Sequence, residues 1–268
     1  MAFVFDAVGT GSSEQASTIV ATVTLGATAK LLVIEVGYNT TTISSILVGA
    51  TAATLAVGVG TTQKNAIYYL LNPPTGLQTV TVTLAATTST FSAVSATSYT
   101  GDADATTPVN ATGTATGTST AISASATATV DNCLYISSAG ASGEGTISVS
   151  GASQTQRANV VVNGTAPLGA GEFIQTTAAA KAMTWTVSTS RAWASVVAAF
   201  APSTGGVTST ALSVVGSGAV TGTGQSTATA AASLIASAAV TGTGAAATAV
   251  SVSTVALGIL NPVAAANA

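Results

Sequence analysis

The 268-residue sequence has no histidine and a single cysteine, Cys133. Without an imidazole, the commonest general base and metal ligand is missing, which removes Ser-His-Asp and Cys-His catalysis. One cysteine allows neither an intrachain disulfide nor a thiolate metal cluster. Charge is scarce as well: 5 basic and 8 acidic side chains make up 5 % of the chain, against roughly 25 % in an ordinary soluble domain. Five cations cannot neutralise a nucleic-acid backbone, so DNA and RNA are excluded as partners. No run of about 18 apolar residues exists, because Thr, Ser or Gly interrupts every candidate, and no membrane span is expected. Met1 to Asp6 has neither a basic nor an apolar leader region. It reads as the first strand of a protein made in the cytoplasm rather than as a signal peptide.

What is present is small and hydroxylated. Ala, Thr, Ser and Gly supply roughly three-fifths of the chain, far above average usage, and 47 % of residues are hydrophobic. A surface so poor in charge has little electrostatic repulsion between copies. Thr and Ala faces are also cheaper to desolvate than Lys or Glu faces, which suits a subunit of a large assembly.

All 13 charged residues lie at or before Arg191, and all 12 aromatics at or before Phe200. That compositional step predicts a β-sandwich domain over 1–202 and a low-charge repeat arm over 203–268, joined at Pro202–Gly206. In the first part, β-branched or alternating runs recur at Ser17–Leu25, Leu31–Tyr38, Thr42–Val48, Asn65–Leu71, Gln78–Leu84 and Phe91–Tyr99. After a Thr/Ala/Ser/Gly stretch they resume at Thr127–Ser137, Thr146–Ser150, Asn159–Val162, Met183–Val187 and Trp193–Phe200. Asn72-Pro73-Pro74-Thr75-Gly76 is a strong turn signal between two of them. No amphipathic helix is discernible, and the expected fold is all-β: an antiparallel, jelly-roll-like sandwich followed by a β-rich tail.

The arm contains a repeat: Val214 to Gly224 recurs as Leu234 to Gly244, 20 residues on (214 and 234), with a weaker third copy from Thr254. Such self-similarity suits stacked hairpins or a β-solenoid arm that must pack on a neighbour. Val214, Val215, Val220, Leu234, Ile235 and Val240 are the expected assembly contacts.

Other chemistry is thin. Asp102 and Asp104 share a face and have the oxygen chemistry for Ca²⁺, but read better as a solvated turn. Glu35, in Leu-Leu-Val-Ile-Glu-Val, either faces a solvated sheet surface or is buried with a raised pKa. Lys30, Arg157 and Arg191 are its available partners in a structural ion pair. Cys133 reads as a small buried hydrophobe, and Trp185 and Trp193 as core anchors rather than a sugar platform. Gly222-Thr223-Gly224 lacks the lysine and helix of a phosphate cradle. No enzyme activity and no cofactor are expected.

The order Phe3-Val4-Phe5-Asp6, Leu31–Val36, Ile43–Ala50, Tyr68–Pro73, Ser98–Gly101 with Thr107–Val109, Met183–Thr186 and Trp193–Phe200 resembles a family of β-sandwich proteins. Its members occur among tailed-phage structural proteins and in environmental bacteria. The resemblance spans 1–202 and implies a jelly-roll or lectin-like sandwich in a virion component; the Ala-Val-Thr-Gly-Thr-Gly tail is similar to small-residue repeats of phage tail and decoration proteins. The expected function is a non-enzymatic capsid decoration or cement protein of a phage virion, partnered by itself, as a homo-oligomer such as a trimer, and by major capsid or other virion proteins. A glycan-binding tail-fibre or adhesin module, and an extracellular filament subunit joined by donor-strand exchange, are the alternatives.

Overall fold

A computed structural model describes residues 3–87, 91–143, 145–162 and 165–203, the side chains of 165 and 166 excepted, and the backbone of four short strands between 214 and 242. The chain divides into two compact units, Met1–Ser203 and Thr204–Ala268. The described residues are all-β, and the sheets of the first unit are antiparallel.

The first half of that unit holds β1 (Val4–Ser13), β2 (Thr18–Leu25), β3 (Ala29–Asn39), β4 (Ile43–Val48), β5 (Thr51–Ala52), β6 (Thr54–Val59), β7 (Gln63–Leu71), β8 (Gly76–Leu84) and β9 (Ser92–Thr100). They form two sheets, in the orders β1-β9-β3-β7-β6 and β2-β8-β4-β5. β2 shows why: in TIVATVTL every second residue is buried, the period-two pattern of a strand with one wet face. Ile19, Ala21, Val23 and Leu25 meet Leu32, Ile34 and Val36 of β3 and Val80 and Val82 of β8 in one aliphatic core.

The second half comprises β10 (Val109–Thr127), β11 (Cys133–Ala141), β12 (Ile147–Val149), β13 (Thr155–Val162), β14 (Thr165–Gln175) and β15 (Ala180–Phe200). Its order is β10-β15-β11-β14-β13, with β12 on β15. The long strands β10 and β15 each serve twice. Their outer parts, 121–127 paired with 180–186, fold over the rest of the sheet, so that Ala124, Ala126, Ala128 and Met183 pack on Cys133, Tyr135, Val197 and Ala199.

The two halves share one plan. β2 and β8 pair Ile19 with Val82, and β10 and β15 pair Ile122 with Trp185, each residue 103 positions after its counterpart (19 and 122, 82 and 185). β3 and β7 pair Leu31 with Leu71, and β11 and β14 pair Leu134 with Ile174, again 103 apart (31 and 134, 71 and 174). Irregularities repeat too. The bulge between Phe5 and Ala7 has its counterpart between Val109 and Ala111, and that between Leu55 and Val57 between Gln156 and Ala158. The bulged residue does the same work in both halves: Asp6 accepts the Gly26 N–H at 2.9 Å, and Asn110 accepts the Thr129 N–H at 2.7 Å. Gly9 and Gly113 both lie where a Cβ would sit 2.0 and 1.7 Å from the backbone oxygens of Thr22 and Ser125. Bulges recur only when they are part of a fold's design; the body is one sandwich plan used twice.

In the second unit β16 (Val214–Val215) pairs with β18 (Leu234–Ile235), and β17 (Val220–Gly222) with β19 (Val240–Gly242). Both pairings are parallel and join residues one repeat apart, as in stacked solenoid turns rather than hairpins.

Candidate functional site

The two sandwiches pack through the sheets that contain β3 and β11, and this seam is the candidate site. Because strand side chains alternate, β3 sends Leu32, Ile34 and Val36 into its own core and Leu31 and Val33 into the seam, with Glu35 and Gly37 next on that side. β11 does the same with Leu134 and Ile136, followed by Ser138 and Gly140. Apolar residues from both halves, among them Ile67, Tyr99, Val196 and Phe200, fill one end of the seam.

Polar side chains are set into this apolar contact. Glu35 is 1 % exposed. Burial, joined by the nearby Glu172 carboxylate, raises its pKa well above 4.5; its own backbone and the Ser95 hydroxyl oppose the rise. Burial thus favours the protonated acid. The expected ion pair of Glu35 with Lys30, Arg157 or Arg191 is corrected here. Arg157 pairs with Glu172, and Lys30 lies 3.8 Å from Asp102 on the surface. The reason is geometric: Glu35 shares its strand face with Leu31 and Val33, where no cation could keep its hydration.

Arg157 also crosses the seam. Its guanidinium stands 3.9 Å over the Phe5 ring, a cation–π contact strengthened by desolvation. Phe5 meets Tyr99 edge-on at 6.4 Å, and the Glu172 carboxylate lies close enough to the Tyr99 phenol to act on its ionisation. Burial above all, then the Glu172 and Glu35 carboxylates, push the Tyr99 phenol well above 10. The counterpart of the Tyr99–Glu172 contact is Phe200 against Tyr69, edge-on at 5.5 Å. Likewise a Cβ on Gly37 would meet Leu168 at 2.9 Å, and one on Gly140 would meet Asn65 at 2.8 Å. Asn65 and Leu168 are themselves 103 apart (65 and 168). Asn65 is fully buried and donates to the Ala194 carbonyl at 2.9 Å.

The remaining sequence candidates are dispersed. Asp104 accepts the Thr106 and Thr107 N–H groups at 2.8 Å each, which hold its carboxyl below the usual range; the turn lies between the two halves. Cys133 is buried, and burial together with Asp131 pushes its thiol up to about 11. Trp185 is fully buried and donates to Ser137 Oγ at 2.9 Å; Trp193, 9 % exposed, donates to Ser119 Oγ at 3.0 Å. At the rim of the seam, Thr61, Thr62, Gln63, Thr116, Gly117, Thr118, Ala192 and Trp193 line a shallow groove of roughly 300 Å³. Val214, Val215, Val220, Leu234, Ile235 and Val240 are placed by backbone pairing alone. Their side chains, and the third repeat near Thr254, lie outside the described residues.

Glu172, Asn65 and Tyr69 went unmarked as site residues in the sequence, and Arg157 was marked there only as a partner for Glu35. None of the four belongs to a motif in the sequence, and only the sheet packing brings them together.

No protein-family model, no curated protein and no solved structure matches the chain.

Proposed function

We propose that this is a non-enzymatic structural protein of a phage virion, a decoration or cement protein on the capsid. The observation that carries the reading is the arm's strand pairing: β16 with β18 and β17 with β19 run parallel, each residue opposite its own counterpart one repeat later. Among the described residues each pairing is two-stranded and made at the repeat step, an arrangement to which the arm of another copy can add further turns. Val214, Val215, Val220, Leu234, Ile235 and Val240 are the contacts of that stacking, and the partners are further copies and the major capsid protein. Many weak contacts repeated over a shell reinforce it by multivalency, without covalent chemistry.

The body supports a rigid-block role. Five of its seven described acids are engaged in holding the fold: Asp6 and Asp131 accept backbone N–H groups, Asp104 closes a turn, Asp102 pairs with Lys30, and Glu172 pairs with Arg157. The jelly-roll part of the reading draws on the strand order, β1-β9-β3-β7 facing β2-β8-β4. A glycan-binding module is the second reading, and the hydroxyl-lined groove beside Trp193 favours it.

Light scattering tests the arm. The full chain is expected to form oligomers that V220D/V240D reduces to monomer, because buried unpaired charge is costly, while the body's melting temperature stays unchanged. A monomeric wild type overturns the proposal.

A further inference from the structure

We propose that the seam is a coded interface, built to join the first sandwich to the second and to reject pairing of either sandwich with its own kind. Two copies of one plan in a single chain create a hazard. Any seam that one pair of sandwiches can make, two chains can also make in the wrong combination, exchanging halves as swapped dimers or longer strings. The hazard grows with the local density of nascent chains.

Several of the residues that differ between the two copies face the seam. Across the pseudo-two-fold axis, Glu172 takes the place of Tyr69, Arg157 that of Ala56, Ser138 that of Glu35 and Leu168 that of Asn65 (69 and 172, 56 and 157, 35 and 138, 65 and 168). Apart from Ser138 in the place of Glu35, each of these exchanges sets a polar member against a less polar one. Tyr99 beside Glu172 answers Phe200 with Tyr69, Phe5 under Arg157 answers Val109 and Ala56, which both pack on the seam's apolar cluster, and Gly140 against Asn65 answers Gly37 against Leu168.

The wrong pairings exchange these members. Two second sandwiches would set Glu172 against the wholly apolar ring of Phe200 in place of the phenol of Tyr99, and Arg157 against Val109, which has no ring, twice over. Two first sandwiches would replace the β3–β11 crossing by β3 on β3, which puts two Glu35 carboxyls across the axis in place of Glu35 and Ser138. A charged or polar group buried against an apolar partner costs more than a correct contact gains, so discrimination comes from penalties on the wrong partner.

The test uses the full chain, refolded from denaturant at high protein concentration and weighed by light scattering beside wild type treated alike. R157A/E172Y gives the second sandwich the apolar seam residues of the first. It is expected to fold with the introduced phenol ring against Tyr99, and to yield a several-fold larger fraction of swapped dimers and larger species than wild type. Association through the arm is common to both proteins, so the difference reports the seam alone and stands apart from the fate of the virion reading. An unchanged mass distribution overturns the proposal. A second set keeps it open to refutation should that variant not fold. Y69E is expected to lower the melting temperature, and Y69E/F200Y to recover most of the loss, because the introduced phenol then lies beside the introduced carboxylate as Tyr99 lies beside Glu172. No recovery in the double variant overturns the symmetry of the contacts, and with it the code.

Discussion

The two sandwiches follow one backbone plan with different fillings. The first core is aliphatic throughout, with Ile19, Val23, Leu25, Ile34, Val80 and Val82 of ordinary strand size. In the second, the counterparts of Val23 and Leu25 are Ala126 and Ala128, while those of Leu32, Val80 and Val82 are Tyr135, Met183 and Trp185 (23 and 126, 25 and 128, 32 and 135, 80 and 183, 82 and 185). Volume removed from one strand returns on its neighbours, and Trp185 lies so close over Gly169 and Gly171 that a Cβ there would meet it at 2.5 and 2.9 Å. Cores demand total volume and close packing, not particular residues. A duplicated fold can therefore keep its register and its bulges while almost all side-chain identity drifts.

The comparison is broken most severely at Trp185. Trp185→Ala should cost about 3–5 kcal/mol, because the glycines beneath it cannot fill the void. Its counterpart Val82→Ala should cost about 2 kcal/mol, from two methyl groups and a smaller cavity. Denaturant unfolding with matched slopes reads both; equal losses would mean that the second core is not built around the indole.

Gly9→Ala and Gly113→Ala sharpen the likeness instead. In each, the new methyl group meets the backbone of the neighbouring strand, and each should lose about 1–3 kcal/mol through overpacking. The two losses should be equal within error. A tolerated substitution in one half alone would show that the corner is not shared.

Acidity probes Glu35, whose counterpart in the second half is Ser138. A carboxyl whose folded pKa lies above its unfolded value holds its proton in the folded state after the unfolded chain has released it. Its stabilising effect is complete below pH 4.5 and is lost as pH rises toward the folded pKa. The melting temperature of the wild type should therefore fall as pH rises above 4.5, and Glu35→Gln should flatten that fall. Parallel profiles for the two proteins would place the pH dependence elsewhere.

Much of the fold was legible in the chain, and the reasons for the gaps are physical. Thr18–Leu25 and Gln78–Leu84 announce themselves by alternation, because their buried positions carry Ile, Val and Leu. β10 does not. Its first half alternates Thr with Gly113, Ala115 and Gly117, which reads as low complexity, since close approach by Ser125 and Trp193 leaves no room for larger residues. β14 was hidden likewise: Pro167, Gly169 and Gly171 look like a loop until Trp185 supplies the bulk above them. The arm's repeat was visible because its copies are nearly identical, whereas the repeat of the sandwich was not. The seam was the least legible part, since an isolated Arg157 or Glu172 has no sequence signature.

By itself the sequence determined the class of the protein: β-branched residues at a period of two admit strands and disfavour helices. Its charge-free final segment is set apart for the same reason, a local property that any stretch of chain carries. Pairing was decided only in three dimensions. Which strand meets which, that the plan occurs twice, and where the few charges are desolvated all depend on complementary volumes between residues about a hundred positions apart, and no local pattern encodes a sum over distant neighbours.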